Sequence, residues 1–201
     1  MTMANGSQIS YRLDGRRALV TGSASGIGLA TAELLARSGA NVVMNDVSIE
    51  NLAAAVTRLR DTGLSVEAAP GDLGRSAIAG EVAERALRES QGAVVNTVSV
   101  SAFGGGASST AYATAKAGLV GLTRELARGL APNVRVNGIA PGLVNSPWEC
   151  SFGDLDAKAQ ASVPLARVGE PRDYAEVIVF LCAGAGYVTG EVIPVTGGSR
   201  I

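Results

Sequence analysis

Thr21-Gly22-Ser23-Ala24-Ser25-Gly26-Ile27-Gly28 joins a short apolar run at 18–21 to a helical run at 27–38 that Gly39 ends. A strand turning straight into a helix needs backbone conformations open to glycine. Where it meets a pyrophosphate, it also needs no side chain in the way. The helix start behind the turn offers unpaired N–H groups and a positive dipole end to phosphate oxygens. Gly22, Ser25, Gly26, Ile27 and Gly28 are therefore candidate dinucleotide-binding residues. A glycine-rich turn alone is also an ordinary strand-to-helix connection, so its context matters. Asp46 follows the next strand, 18 residues after Gly28, near the spacing at which a carboxylate takes the adenosine ribose hydroxyls. The alternative for Asp46 is a solvated loop acid. On the ribose it would face the extra phosphate of NADP, and like charges about 4 Å apart repel by roughly 1–4 kcal/mol. No Arg or Lys lies in 23–25 or 47–51 to offset that, so the expected cofactor is NAD rather than NADP.

Outward from this turn, short β-branched runs alternate with longer amphipathic or Ala-rich stretches, the pattern of βαβ units and a parallel sheet. Strands are expected at 18–21, 41–45, 65–69, 93–98, 134–139 and 191–195. Helices are expected at 27–38, from an N-cap at Ser48 to about Thr62, and at 77–89, 111–130, 155–162 and 173–182. A Gly/Ser-rich loop fills 101–109, and another loop runs over 141–152 with Trp148 and Phe152 in it, either an apolar substrate surface or packing for a lid. The whole chain, 1–201, reads as one α/β domain with a doubly wound parallel sheet of the Rossmann class.

Composition narrows the chemistry. The chain has no histidine, which removes Ser-His-Asp triads, Cys-His pairs and His-ligated metals, so no metal is expected. Cys150 and Cys182 are too far apart for a zinc knuckle and are expected as free thiols. A net charge of −1 with no basic stripe argues against nucleic acid. The polar stretch 1–11 has no signal-peptide core, and no apolar run reaches the length of a membrane span. The expectation is a cytoplasmic protein acting on a small molecule.

Tyr112 and Lys116 sit four apart near the start of the 111–130 helix, so phenol and ammonium share one face. Tyrosine is a poor acid or base at neutral pH, with a reference pKa of about 10, and a nearby ammonium favours its phenolate. Any such pair would fit this spacing. Ser99, at the carboxyl end of the preceding strand, adds a hydroxyl where ligands of open α/β sheets bind.

In this combination the sequence resembles the short-chain dehydrogenase/reductase family, in particular its three-oxoacyl-carrier-protein-reductase-like members. The matching residues are 21–28, Asp46, Asp72 with Leu73 after the third strand, and Ser99 thirteen residues before Tyr112. Lys116, the run 137–142 (Asn-Gly-Ile-Ala-Pro-Gly) and Val195-Thr-Gly-Gly198 complete the set. The resemblance implies Tyr112 as general acid/base, Lys116 on the nicotinamide ribose and lowering the tyrosine pKa, and Ser99 orienting the substrate. Asp72 and Leu73 would lie by the adenine, while Pro141, Gly142, Val144 and Ser146 would line the nicotinamide pocket. Asp72 could also be a plain turn acid, and Ser99 one of several serines at a strand end.

One part of the family pattern is absent. An Asn-Asn-Ala-Gly strand and a following helix with a catalytic asparagine should come after the third helix, but the chain runs from 81–90 directly into the Ser99 strand. This amounts to an apparent deletion near 78–92 of roughly 30 residues or more, about one βαβ segment. Closing the sheet over it would move the Ser99 strand, and Tyr112 with it, by about 4.8 Å. A misplacement of 1 Å can already cost about 100-fold in rate. Two functions follow: NAD(H)-dependent hydride transfer to or from a secondary alcohol or ketone, or a shortened, catalytically impaired dinucleotide-binding protein. The family's homo-oligomers pair the Tyr-bearing helix with one in the absent segment, so assembly is expected only where that segment is present.

Overall fold

The computed structural model describes residues 11–72, 89, 91–104, 109–147 and 154–200. Leu73, the expected helix at 77–89 apart from Glu89, Trp148, Cys150 and Phe152 lie outside the described residues.

Six parallel strands form. β1 (Arg17–Thr21), β2 (Asn41–Asn45) and β3 (Val66–Ala68) pair in that order, and β4 (Ala93–Thr97), β5 (Arg135–Pro141) and β6 (Val192–Val195) pair in theirs. α1 (Gly26–Arg37) and α2 (Ile49–Asp61) connect the first three strands. A 3-10 turn (Val100–Phe103) and α3 (Thr110–Leu130) lie between β4 and β5, and α4 (Leu155–Ser162) and α5 (Pro171–Ala183) between β5 and β6.

β2 alternates buried and half-buried residues under α1 and α2, where Met44, Leu52 and Ala32 are fully enclosed. β4 and β5 are covered on both faces: Val94 and Val136 pack with Ala127 and Leu130 of α3, while Val95 and Ile139 pack with Ile178 and Leu181 of α5. This is the two-sided burial of a doubly wound sheet. β5 runs two residues past its expected end. Pro141 can close it because a strand terminus loses little when one N–H is missing, and Gly142 N–H takes over by donating to Val195 O at 2.9 Å.

The sheet has not closed over the gap. Among the described residues, β1 and β4 share no ladder, and each ends its own three-stranded sheet. Leu19, in the middle of β1, is 55% exposed, unusual for an inner strand, and β4 buries none of its residues fully. The two halves meet through the helices instead. α1 packs along α5, and Val179 of α5 joins the core of the first half with Ala32, Leu35 and Ala36.

Candidate active site

The turn after β1 is built as its glycines predict. Gly22 and Gly26 have φ of 61° and 54°, left-handed values that favour glycine. A Cβ on Gly28 would run into the Gly22 carbonyl oxygen, so the turn is closed too tightly for any side chain there. Ser25 is the N-cap of α1, makes no side-chain cap bond, and no acid occupies the first turn. The α1 start is therefore open to an anion. Ile27 turns its side chain into the core shared with α5 and contributes backbone only.

Asp46 stands beside this turn with its carboxylate fixed. Oδ2 accepts the Ala24 N–H at 3.1 Å and Oδ1 accepts the Ser48 N–H at 2.9 Å. Ser48 is the N-cap of α2, as expected, but its side chain makes no cap bond. Asn45, a buried amide that the sequence reading passed over, donates to Ala69 O at 2.7 Å and Gly71 O at 3.1 Å. It thereby holds the loop that carries Asp72 against the end of β2.

The second cluster forms at the carboxyl end of β4. Lys116 Nζ donates to Thr97 O at 2.7 Å and lies 5.7 Å from the centre of the Tyr112 ring. Burial lowers the lysine pKa from its ordinary value. Ser99, two residues past Thr97, is buried and caps the 3-10 turn, its Oγ accepting the Ser101 N–H at 3.2 Å. As an acceptor there, its hydroxyl keeps a proton to donate. Ser109 caps α3 by accepting Tyr112 N–H at 3.2 Å, which sets the tyrosine in the first helical turn. Ser99, Tyr112 and Lys116 are thus gathered around one strand end. Thr97 had no signal in the sequence, because it acts through its carbonyl.

The Pro141–Ser146 stretch bridges the halves. A Cβ on Gly26 would touch the Ser146 Cβ at 3.8 Å, so the phosphate turn and this loop adjoin. Tyr174 of α5 donates to Leu143 O at 2.7 Å, and Gly169 pairs with Val144, which pins the loop. Val144 buries its side chain in the core it shares with Tyr174 and Ile178 of α5. Asn137 bridges Val188 O and the Glu191 N–H and braces β5.

A sequence pattern described as a short chain dehydrogenase matches residues 16–87, and one described as an enoyl-(acyl carrier protein) reductase matches 74–200. The chain belongs to the short-chain dehydrogenase/reductase family. A 3-oxoacyl-acyl-carrier-protein reductase of Thermotoga maritima is 30% identical over 244 positions, covering 93% of this chain and 98% of the relative. Cis-4-hydroxycyclohexanecarboxylate dehydrogenase of Sinomonas cyclohexanicum is 32% identical over 91% of this chain and 96% of its own length. The solved structure of 7 alpha-hydroxysteroid dehydrogenase, complexed with NADH and 7-oxo glycochenodeoxycholic acid, superposes with a TM-score of 0.85 at 25% identity. That superposition covers 94% of this chain and 96% of the other. The chain is accordingly an NAD(P)-dependent oxidoreductase, and no described helix is long and apolar enough to cross a membrane. The alignment with the Thermotoga enzyme uses about 187 residues of this chain (93% of 201) over 244 positions, so about 57 positions face no residue of it.

Proposed function

We propose that the protein transfers hydride reversibly between NAD(H) and a secondary alcohol or ketone, with Ser99, Tyr112 and Lys116 as its catalytic residues. The observation that supports this reading is the Lys116–Thr97 hydrogen bond, which holds the ammonium at the end of β4, two residues before Ser99 and 5.7 Å from the Tyr112 ring centre. The open α1 start and the oriented Asp46 carboxylate suit a dinucleotide. When bound, that cofactor supplies the hydride donor or acceptor at its nicotinamide. Ser99 donates a hydrogen bond from its hydroxyl to the substrate oxygen, keeping its proton, and so orients it. Tyr112 gives that oxygen a proton in reduction and takes it back in oxidation. Lys116 keeps two protons beyond the one on Thr97 O, enough to hold a ribose hydroxyl. A ketone or alcohol substrate fits the relatives' names, which include an oxoacyl reductase and a hydroxycyclohexanecarboxylate dehydrogenase.

The missing ladder between β1 and β4 among the described residues supports a second reading, a dinucleotide-binding protein without turnover. On this reading the unmatched positions fall between β3 and β4, where the apparent deletion near 78–92 lies. Loss of NADH absorbance with a panel of ketones separates the two. Under the first reading turnover is seen, and Tyr112→Phe abolishes it while NADH affinity stays within about twofold. Tight NADH binding with no turnover by the unmodified protein leaves the second.

A further inference from the structure

Past β6 the chain does not trail into solvent. Gly197 and Gly198, with φ of 60° and 93°, turn it, and Leu165 N–H donates to Gly197 O at 3.0 Å. A Cβ on Gly197 would meet Val163 at 2.7 Å and one on Gly198 would meet Pro164 at 2.9 Å, so the tail lies pressed on that loop. On its other side, a Cβ on Gly142 would touch Thr196 Cα at 3.2 Å. The turn delivers Arg200 to Phe103, with its guanidinium carbon 4.7 Å from the ring centre. Phe103 ends the 3-10 turn that Ser99 caps, four residues on, roughly 8 Å at the rise of such a helix.

Arg200 is held differently from several described arginines. Arg37, Arg167 and Arg172 each hold a carboxylate, and Arg135 caps the end of α5 through backbone carbonyls. Arg200 instead rests on a ring, which accepts no conventional hydrogen bond from its five N–H donors. Phe103 under it is 39% exposed, and Leu165, 65% exposed, lies against Gly197 at the turn that carries Arg200.

We propose that Arg200, carried on Phe103, binds an anionic group at the far end of the substrate and so selects keto or hydroxy acids with an apolar body over neutral ketones. This rests on the reading of Ser99, Tyr112 and Lys116 as the reducing site. The carbonyl sits at Ser99, the apolar body lies along Phe103 and Leu165, and a carboxylate or phosphate takes the guanidinium fork. Arginine suits this task because it stacks and donates at once.

The test uses the full chain with NADH. The probes are oxononanoate bearing a terminal methyl ketone, its methyl ester, and levulinate as a short acid. The long acid is expected to exceed its ester at least tenfold in kcat/KM, with levulinate well below it. In Arg200→Ala the acid-to-ester ratio falls to near one, and in Arg200→Lys part of it returns. Raising the salt concentration lowers the ratio in the unmodified protein. Calorimetric titration of the NADH complex with the same probes gives an independent ratio. Equal use of acid and ester, or a preference that survives Arg200→Ala, overturns Arg200 and leaves hydride transfer standing. Acid-selective binding with no turnover upholds Arg200 and overturns hydride transfer. Binding of neither probe overturns both.

Discussion

The Asp46 carboxylate receives one backbone N–H on each oxygen, from Ala24 and Ser48, and each oxygen keeps lone-pair capacity for a ribose hydroxyl. Because both amides come from rigid turns, the charge is fixed in place before any ligand arrives. A phosphate on that ribose would meet a carboxylate that cannot swing aside. NAD(H) is therefore expected to bind at least tenfold more tightly than NADP(H), about 1.4 kcal/mol. Asp46→Ala should narrow the gap, chiefly by relieving repulsion. Calorimetry showing tighter NADP(H) binding to the unmodified protein would end this assignment. Cys182 illustrates the opposite case, a titratable group with no chemistry to do. Burial pushes its thiol up to about 11, so it stays protonated and packs as a small apolar residue near the Arg135 guanidinium.

At the scale of elements, the start of α5 shows how one ion pair serves both a helix and the site. Asp173 accepts the Glu170 N–H at 2.8 Å and holds Arg167, while Tyr174 beside it reaches the Leu143 carbonyl in the loop next to the phosphate turn. The hydrogen bond from Arg167 holds the Asp173 carboxyl below its ordinary range. A depressed folded-state pKa makes the contribution to stability full above the unfolded value of 3.8 and lost as pH falls through the lower folded one. Water screens this exposed pair, so Asp173→Asn should lower the melting temperature only slightly at neutral pH. The difference from the unmodified protein should shrink as melts are taken below pH 4. A difference that stays constant down to pH 2 would show that the charge of Asp173 is not what matters. Much at this scale was legible. Asn41–Asn45 and Leu155–Ser162 form with their expected bounds; β-branched residues mark the first, while the second is weak in sequence and the structure adds a cap at Asp154. The 3-10 turn was read as loop, since four residues show no period and its cap is Ser99 itself. Tyr112 and Lys116 share a face by spacing alone, but their roles came from family resemblance. The Thr97 carbonyl that fixes Lys116, and the Phe103 ring under Arg200, are contacts between distant segments that no local pattern announces.

The described residues form two three-stranded parallel sheets joined by the α1–α5 seam, with the glycine turn on one half and Ser99, Tyr112 and Lys116 on the other. Each half builds its own cluster from its own strand ends and helix starts, Asp46 beside the α1 turn and Lys116 on the Thr97 carbonyl. The missing pairing falls only on β1 and β4. A strand edge left in this state offers a row of N–H and C=O groups to any partner, and Leu19 adds apolar surface to it. Among the described residues no second helix stands beside α3 to complete a symmetric interface, so we propose that the chain without the family's additional segment is monomeric or aggregation-prone. Light scattering reporting a well-behaved tetramer would refute that. Hydrogen exchange reads the edges directly. β2 and β5 are bonded on both sides and should be the slowest strands to exchange, whereas amides of β1 and β4 that do not donate to β2 or β5 should exchange much faster. Adding NADH should slow exchange at 22–28, where the ligand covers the backbone, without slowing the unpaired side of β4. Equal, slow exchange across β1, β2, β4 and β5 would mean that another strand fills the space between the halves, and the open-edged architecture would be wrong for the protein in solution.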